Sequence, residues 1–300
     1  MIKKTLYFGN PVYLNKQENQ VKISFPEKEK KEAVTRPIED VGILMLDHPQ
    51  ITITQALISA LLDNNALIIS CDQKHMPKAF MLPFDSHHTY SEHLKYQLNA
   101  SEPLKKQLWQ QTIKQKIANQ AALLNRAEIA TDNMHYWESK VRSGDPDNYE
   151  ARAAAYYWKN WLDDGFLRGR YEEVPNNLLN YGYAILRAVV ARSLVSSGLH
   201  TAMGIHHRNK YNPHCLADDI MEPYRPYVDE LVLEVIAAFD TNDLEELTPA
   251  VKRALLVIPT LDVELDGQQS PLMVGMSRTT ASLMDCYKGE RRKMLYPVIN

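Results

Sequence analysis

Near residue 88 the hydrophobic period of the chain changes, and that change limits the folds open to it. Up to about residue 83 the apolar side chains fall in short runs rich in β-branched and aromatic residues, at 5–8, 12–14, 21–25, 41–46 and 67–70. Gly9-Asn10-Pro11, Asn15 and a charged turn over 27–32 separate them, which is the pattern of strands joined by turns. Inside this region Thr54 is placed to cap a helix over 55–62, whose Ala56, Leu57, Ala60 and Leu61 recur at helical spacing and would cover one open end of the sheets. Asp47-His48 and the segment 72–75 follow strands and tempt a metal reading, but such residues read first as turn formers.

From Tyr90 onward the period is that of a helix. Helices are expected over 94–97, 104–126 and 149–162, with a turn at 143–148. A further helix runs from about 177 to 196, with Pro175 before it and Gly198 at its C′ position. The remainder holds a helix over 228–239, an acidic turn at 240–246, a helix over 249–256 and one ending near Tyr287. With 84–88 as linker, the expected class is α+β: an N-terminal β-sandwich domain over 1–88, then an all-helical domain over 89–300.

Charge and cysteine usage narrow the function classes. The formal charge of −3 does not by itself mark a nucleic-acid binder or an enzyme of acidic substrates. Three widely spaced cysteines offer neither a CxxC pair nor a disulfide framework, so a reducing compartment is expected. The start MIKKTLYFGN lacks an apolar core and no run approaches the ~20 apolar residues of a membrane span. A soluble cytoplasmic protein is expected.

The average charge hides a segregation. The 44 residues between Glu173 and Asp218 carry no acid, yet they hold Arg187, Arg192, Arg208, Lys210 and four histidines. An acidic group, Asp218, Asp219 and Glu222, follows at once. A basic face leading to an acidic pocket suits a polyanion and a divalent metal. The short basic run Arg291, Arg292, Lys293 reads as solvated surface or as a further phosphate contact.

In LADDIMEP, Asp218 and Glu222 are spaced i,i+4 and Asp219 and Glu222 i,i+3, so either pair can share a helical face. Pro223 ends or kinks the helix and leaves Glu222 in its last turn, where the helix dipole disfavours a negative charge. Compensation by Arg225 and compensation by a metal are equal on spacing. His206 and His207 precede the helix; imidazole plus carboxylate suits Mn²⁺, and the oxygen ligands suit Mg²⁺. Glu150, taken alone, is a first-turn acid favoured by the dipole.

Four linked segments, DPDNYEARAAAYYW, PNNLLNYGYAILRAVV, SSGLHTAMGIHH and CLADDIMEPYRPYVD, together resemble the CRISPR-associated integrase of spacer acquisition, the "Cas one" family. The resemblance implies a homodimer whose N-terminal β-sandwich serves dimerisation and partner contacts and whose helical domain is catalytic. It implies metal ligands at Glu150, His207 and Glu222, with Asp219 as supporting acid and His206 as the competing histidine. LDHPQITIT and DQKHMP look most like the form found with type II systems, which implies a small ferredoxin-like adaptation subunit and the RNA-guided effector nuclease as partners. The expected activity is a Mg²⁺- or Mn²⁺-dependent DNA endonuclease and integrase. In it a fragment's 3′-hydroxyl attacks a repeat phosphodiester, while Arg187, Arg192, Arg208, Lys210, Arg291, Arg292 and Lys293 hold phosphates of double-stranded DNA. A catalytically silent DNA scaffold and a metal-dependent hydrolase of small phosphoesters remain the alternatives.

Overall fold

The structure is a computed structural model that describes residues 3–83, 87–162, 166–169 and 173–300. Of the expected linker, residues 84–86 lie outside the described residues.

The N-terminal part is two four-stranded sheets. In the first, β1 (Lys4–Phe8), β5 (Val41–Leu46) and β7 (Leu67–Cys71) run parallel and β8 (Pro77–Met81) closes one edge antiparallel. In the second, β4 (Val34–Pro37), β3 (Gln20–Ser24) and β2 (Tyr13–Gln17) form an antiparallel meander, and the short β6 (Thr52–Ile53) adds in parallel beside β2. Between the sheets lies an apolar layer that includes Leu14, Val21, Ile23, Leu44 and Ile68, with Leu57 and Leu61 from helix α1 (Gln55–Asp63). The β-rich start is therefore as expected, with α1 packed into that layer. Thr54 holds the cap position, but its hydroxyl caps nothing and is buried without a partner.

Strand β5 explains how this part meets the rest. Its residues 41–45 are all buried, as an unbroken apolar run in a sheet covered on both faces should be. Leu44 faces the second sheet, while Ile43 and Met45 join the larger core formed with the helices. Buried Asp47, just past β5, reinforces the junction: it takes bonds from the Tyr7 hydroxyl at 2.7 Å and Lys252 Nζ at 2.9 Å, and meets His75 Nδ1 at 2.8 Å. The turn-former reading thus holds for Asp72, whose Oδ1 accepts from Lys74 N and Met76 N, but not for Asp47.

The C-terminal part is mostly helical: α2 (Tyr90–Asn99), α3 (Glu102–Arg126), α4 (Asp132–Lys140), α5 (Tyr149–Trp161), α6 (Asn176–Ser196), α7 (Cys215–Met221), α8 (Arg225–Ala238), α9 (Thr241–Glu246), α10 (Pro249–Leu255) and α11 (Leu272–Lys288). Helix α6 is buried around most of its circumference and runs through the core, as its apolar sequence requires. It is followed by Gly198 at φ +72°, a left-handed position that glycine takes without steric cost. Two expectations need correction: the acidic stretch expected as a turn at 240–246 is instead helix α9, and the second concerns the class of this part. This part is not all helical, because β9 (Asp262–Leu265) and β10 (Gln268–Pro271) form a hairpin. Asp266 and Gly267 both have positive φ in its two-residue turn, the conformation that an Asp-Gly pair favours.

Candidate active site

Three segments converge on one face of α3. Residue 150 arrives on α5, whose first turn is set by Asp145: its carboxylate accepts from Tyr149 N at 3.0 Å and Glu150 N at 2.9 Å. Those are the orphan donors of a helix start, so the turn at 143–148 fixes where Glu150 points. Glu222 arrives from the other side. Helix α7 stops at Met221, a 3₁₀ turn over Glu222–Tyr224 contains Pro223, and α8 begins at Arg225. Asn119 on α3 donates to Pro223 O at 2.8 Å and to Pro297 O at 3.0 Å, which pins both the turn and the C-terminal segment to the helix.

Between the two acids stands a lysine. Lys116 Nζ lies 2.8 Å from Glu150 Oε1 and 2.6 Å from Glu222 Oε2. Glu222 Oε1 in turn accepts from Arg225 Nε at 2.8 Å. The compensation expected of Arg225 is present, and a second cation joins it. Burial alone would raise the Glu222 pKa, but Arg225 and Lys116 override it and hold the carboxyl at about 2. Burial likewise opposes the charge on Lys116, yet Glu222 and Glu150 keep its pKa above the ordinary lysine value.

The histidine doublet resolves into two roles. Asp219, fully buried, meets His207 Nδ1 at 2.6 Å and accepts the backbone N–H groups of Ile205, His206 and His207 at 2.7, 3.0 and 3.2 Å. With Nδ1 bonded to the carboxylate, the Nε2 side of His207 is left for a ligand, the arrangement by which a carboxylate orients a metal-binding imidazole. The Asp219 hydrogen bond raises the His207 pKa against its burial, with Glu222 and Glu150 adding to the effect. His206 instead stacks on Trp109, ring centroids 4.1 Å apart, and burial lowers its pKa. Gly204 makes the tight loop possible, since a Cβ there would stand 2.7 Å from Asp219 Oδ2 and closer still to His207 O. Asp218 faces away: Arg187 Nε and Asn212 Nδ2 each bond it at 2.6 Å.

The structure therefore brings Glu150, Glu222 and Lys116 into contact and places His207, backed by Asp219, within their electrostatic reach. Among the described residues no three His, Cys, Asp or Glu side chains converge as a ready cation cage. An ammonium lies between two of the acids in its place. Glu222 Oε2 is buried, with the Lys116 ammonium 2.6 Å away. Two carboxylates and an oriented imidazole are a donor set that fits an oxygen-preferring divalent ion.

The basic residues separate. Arg208 pairs with Glu102, and Lys210 lies exposed over the Tyr211 ring. Arg291, Arg292 and Lys293 are exposed, with Gln111 of α3 holding the backbone at Arg292 O and Met294 N. Arg192 is buried and donates to Asn65 O at 2.8 Å, so it joins α6 to the β region rather than standing on the surface. Sequence reasoning missed Lys116, although a signal existed. It falls in the row Leu108, Thr112, Lys116, Gln120 on the buried side of α3, where an unpaired lysine would be costly.

The family described as "CRISPR associated protein Cas1" matches residues 6–246. The CRISPR-associated endonuclease Cas1 of Neisseria meningitidis serogroup C (strain 8013) is 36% identical over 298 residues, covering 98% of this chain and 95% of that protein. The CRISPR-associated endonuclease Cas1 2 of Pyrobaculum aerophilum is 27% identical over 82% of this chain and 88% of its own length. Among solved structures, a casposase bound to integration product shares the fold at TM-score 0.79 and 20% identity, covering 98% of this chain and 92% of that one. A Cas1 protein from Thermotoga maritima follows at TM-score 0.72 and 14% identity, covering 95% and 97%. On the match over most of its length and the likeness to the Neisseria protein, this chain belongs to the Cas1 family of CRISPR-associated proteins.

Proposed function

We propose that the protein is a divalent-metal-dependent DNA endonuclease and integrase that inserts short DNA fragments as new spacers into a CRISPR array, in the type II form. The observation that carries this reading is the meeting of Glu150 and Glu222 on one internal cation beside an imidazole oriented by Asp219. Glu150, Glu222 and His207 Nε2 would hold Mg²⁺ or Mn²⁺, and the bound ion would polarise the scissile phosphodiester.

The chain's own groups do the rest. Asp219 keeps the proton on His207 Nδ1 and so keeps Nε2 available. Arg225 keeps Glu222 ionised through the whole working pH range. Arg187, Arg208, Lys210 and the run Arg291, Arg292, Lys293 hold DNA phosphates. Arg187 and Arg208 must exchange Asp218 and Glu102 for phosphate to do so. The 3′-hydroxyl oxygen of the fragment forms the new P–O bond as the bond to the repeat's leaving 3′-oxygen breaks; one proton leaves the attacking hydroxyl and one is gained by the leaving oxygen. Water in place of the hydroxyl gives cleavage.

Residues 1–88 are proposed as the part that contacts a second copy and the small adaptation subunit, and residues 89–300 as the catalytic part. A solved Cas6-RT-Cas1–Cas2 complex whose chain shares this fold supports the partner assignment. No described helix is long and apolar enough to cross a membrane, in keeping with a proposed site of action in the cytoplasm.

The test is strand transfer: protein with and without the adaptation subunit, a short 3′-OH duplex, a repeat-bearing plasmid, and Mg²⁺, Mn²⁺ or chelator. Joining that needs metal and is lost in Glu150→Ala and His207→Ala supports the reading. DNA binding without joining in any condition would favour a silent scaffold, and turnover of small phosphoesters without DNA affinity would favour a hydrolase.

A further inference from the structure

On the reading that Glu150, His207 and Glu222 bind a divalent ion, we propose that Lys116 is a resident counter-cation that the ion must displace. Its ammonium then moves along α3 to Gln120 and into the cavity where a DNA phosphate binds.

Three observations carry this. Lys116 Nζ contacts both acids, at 2.8 and 2.6 Å, and so holds the position between them that a shared cation would take. One turn further along α3, buried Gln120 carries an Oε1 with no hydrogen-bond partner. A buried carbonyl oxygen without a donor is rare and costs free energy, so a donor arriving there is favoured. Residues four apart on a helix have Cβ atoms about 6 Å apart, which the four-carbon stem of lysine spans by rotamer change alone.

Both side chains line one cavity of about 630 Å³, together with Arg168, Arg187, Glu222 and Arg225. In the metal-free protein Glu150 and Glu222 are balanced by Lys116 and Arg225. A divalent ion taking the Lys116 position leaves the ammonium without its acids, at a wall that already carries guanidinium groups. The cavity, cationic already through Arg168, Arg187 and Arg225, gains the freed ammonium when the metal is in place, so metal entry and phosphate entry assist one another.

The experiment is a Mn²⁺ titration, read by isothermal calorimetry on the full-length protein without DNA and again with a short duplex. Lys116→Met removes the competitor and should tighten Mn²⁺ binding by roughly five- to a hundredfold, while weakening duplex binding to the metal-loaded protein. Gln120→Leu removes the landing point and leaves the competitor, so it should weaken Mn²⁺ binding several-fold (~3–10). Opposite signs from two neighbours on one helix are not produced by a general loss of packing. A folded Lys116→Met with equal or weaker Mn²⁺ affinity, or a Gln120→Leu indistinguishable from wild type, overturns the proposal. If Lys116→Met does not fold, Gln120→Leu decides. Absence of Mn²⁺ binding by the wild-type protein is a different result, because it overturns the metal reading on which the proposal rests.

Discussion

Replacing Asp219 by asparagine probes the part of the site that rests most on hydrogen bonding. The two carboxylate oxygens share four contacts: Oδ2 takes Ile205 N and His206 N, and Oδ1 takes His207 N and meets Nδ1. An amide has one oxygen, so the substituted side chain would satisfy one pair and turn an NH₂ group toward the other. Each donor left without an acceptor costs about 1–3 kcal/mol. The pair on His207 is the better hydrated, since that side chain is 45% exposed, so the amide oxygen would stay with Ile205 and His206. Two partly hydrated donors at the low end give about 2–3 kcal/mol, to be read from urea unfolding without metal. The same change frees the imidazole to swap tautomers, and loss of such a carboxylate partner weakens metal affinity about 10–100-fold. An Asp219→Asn protein within about 0.5 kcal/mol of wild type and with unchanged metal dependence would refute the role given to Asp219.

Other outcomes follow from other parts of the molecule. Burial pushes the Asp229 carboxyl up to about 7 despite hydrogen bonds from Tyr183 and Tyr157. A folded pKa above the unfolded one means the native state binds the extra proton, so this stabilisation is complete below about pH 4 and is lost as pH rises through 7. Between about pH 5 and 8 wild type should lose about 3 kcal/mol more than Asp229→Asn, and parallel pH profiles in urea unfolding would count against it. Lys252→Met takes from buried Asp47 its lysine partner, leaving Tyr7 and His75 beside it, and should cost about 3 kcal/mol, whereas pairing it with Asp47→Leu should recover much of that. Gly204→Ala forces a Cβ into Asp219 and His207 and should cost about 1–3 kcal/mol and misplace the imidazole; unchanged stability and metal affinity would show that the loop has slack. Duplex affinity should fall steeply between about 50 and 200 mM salt, and a flat response would remove the basic-face argument.

What the sequence disclosed depended on burial. Strands β2, β3, β5 and β7 were legible because their apolar runs face a core, and β1, although an edge strand, because Leu6, Tyr7 and Phe8 pack half-buried against it. The three missed strands of the N-terminal part, β4, β6 and β8, all lie at sheet edges: β4 is exposed along its length, β6 has two residues, and β8 opens on a proline. Edge strands owe their form to a neighbour's backbone rather than to their own pattern. Helix α4 escaped for a similar reason, since Met134 is its only buried residue. The β9–β10 hairpin did have a local signal, Asp266-Gly267, hidden by the helices around it.

At the site, Glu222 and Arg225 were legible as an i,i+3 pair, and Asp219 through its spacing to Glu222. The division between His206 and His207 was not, because it turns on Trp109 of α3, almost a hundred residues away, stacking on one ring. Nor was the place of Glu150 legible from its own helix, since that depends on Lys116 joining α5 to the turn at Glu222. Resemblance to a family supplied Glu150; only packing supplied Lys116.

The central claim is that Glu150, His207 and Glu222 share one divalent ion. The most direct measurement is an anomalous difference map from a crystal of the protein grown with Mn²⁺ and a short 3′-OH duplex. The account predicts a single strong peak contacted by those three side chains, with the duplex end beside it and Lys116 no longer between the acids. A peak bound elsewhere, or Lys116 still bridging Glu150 and Glu222 while DNA occupies the cavity, would contradict it.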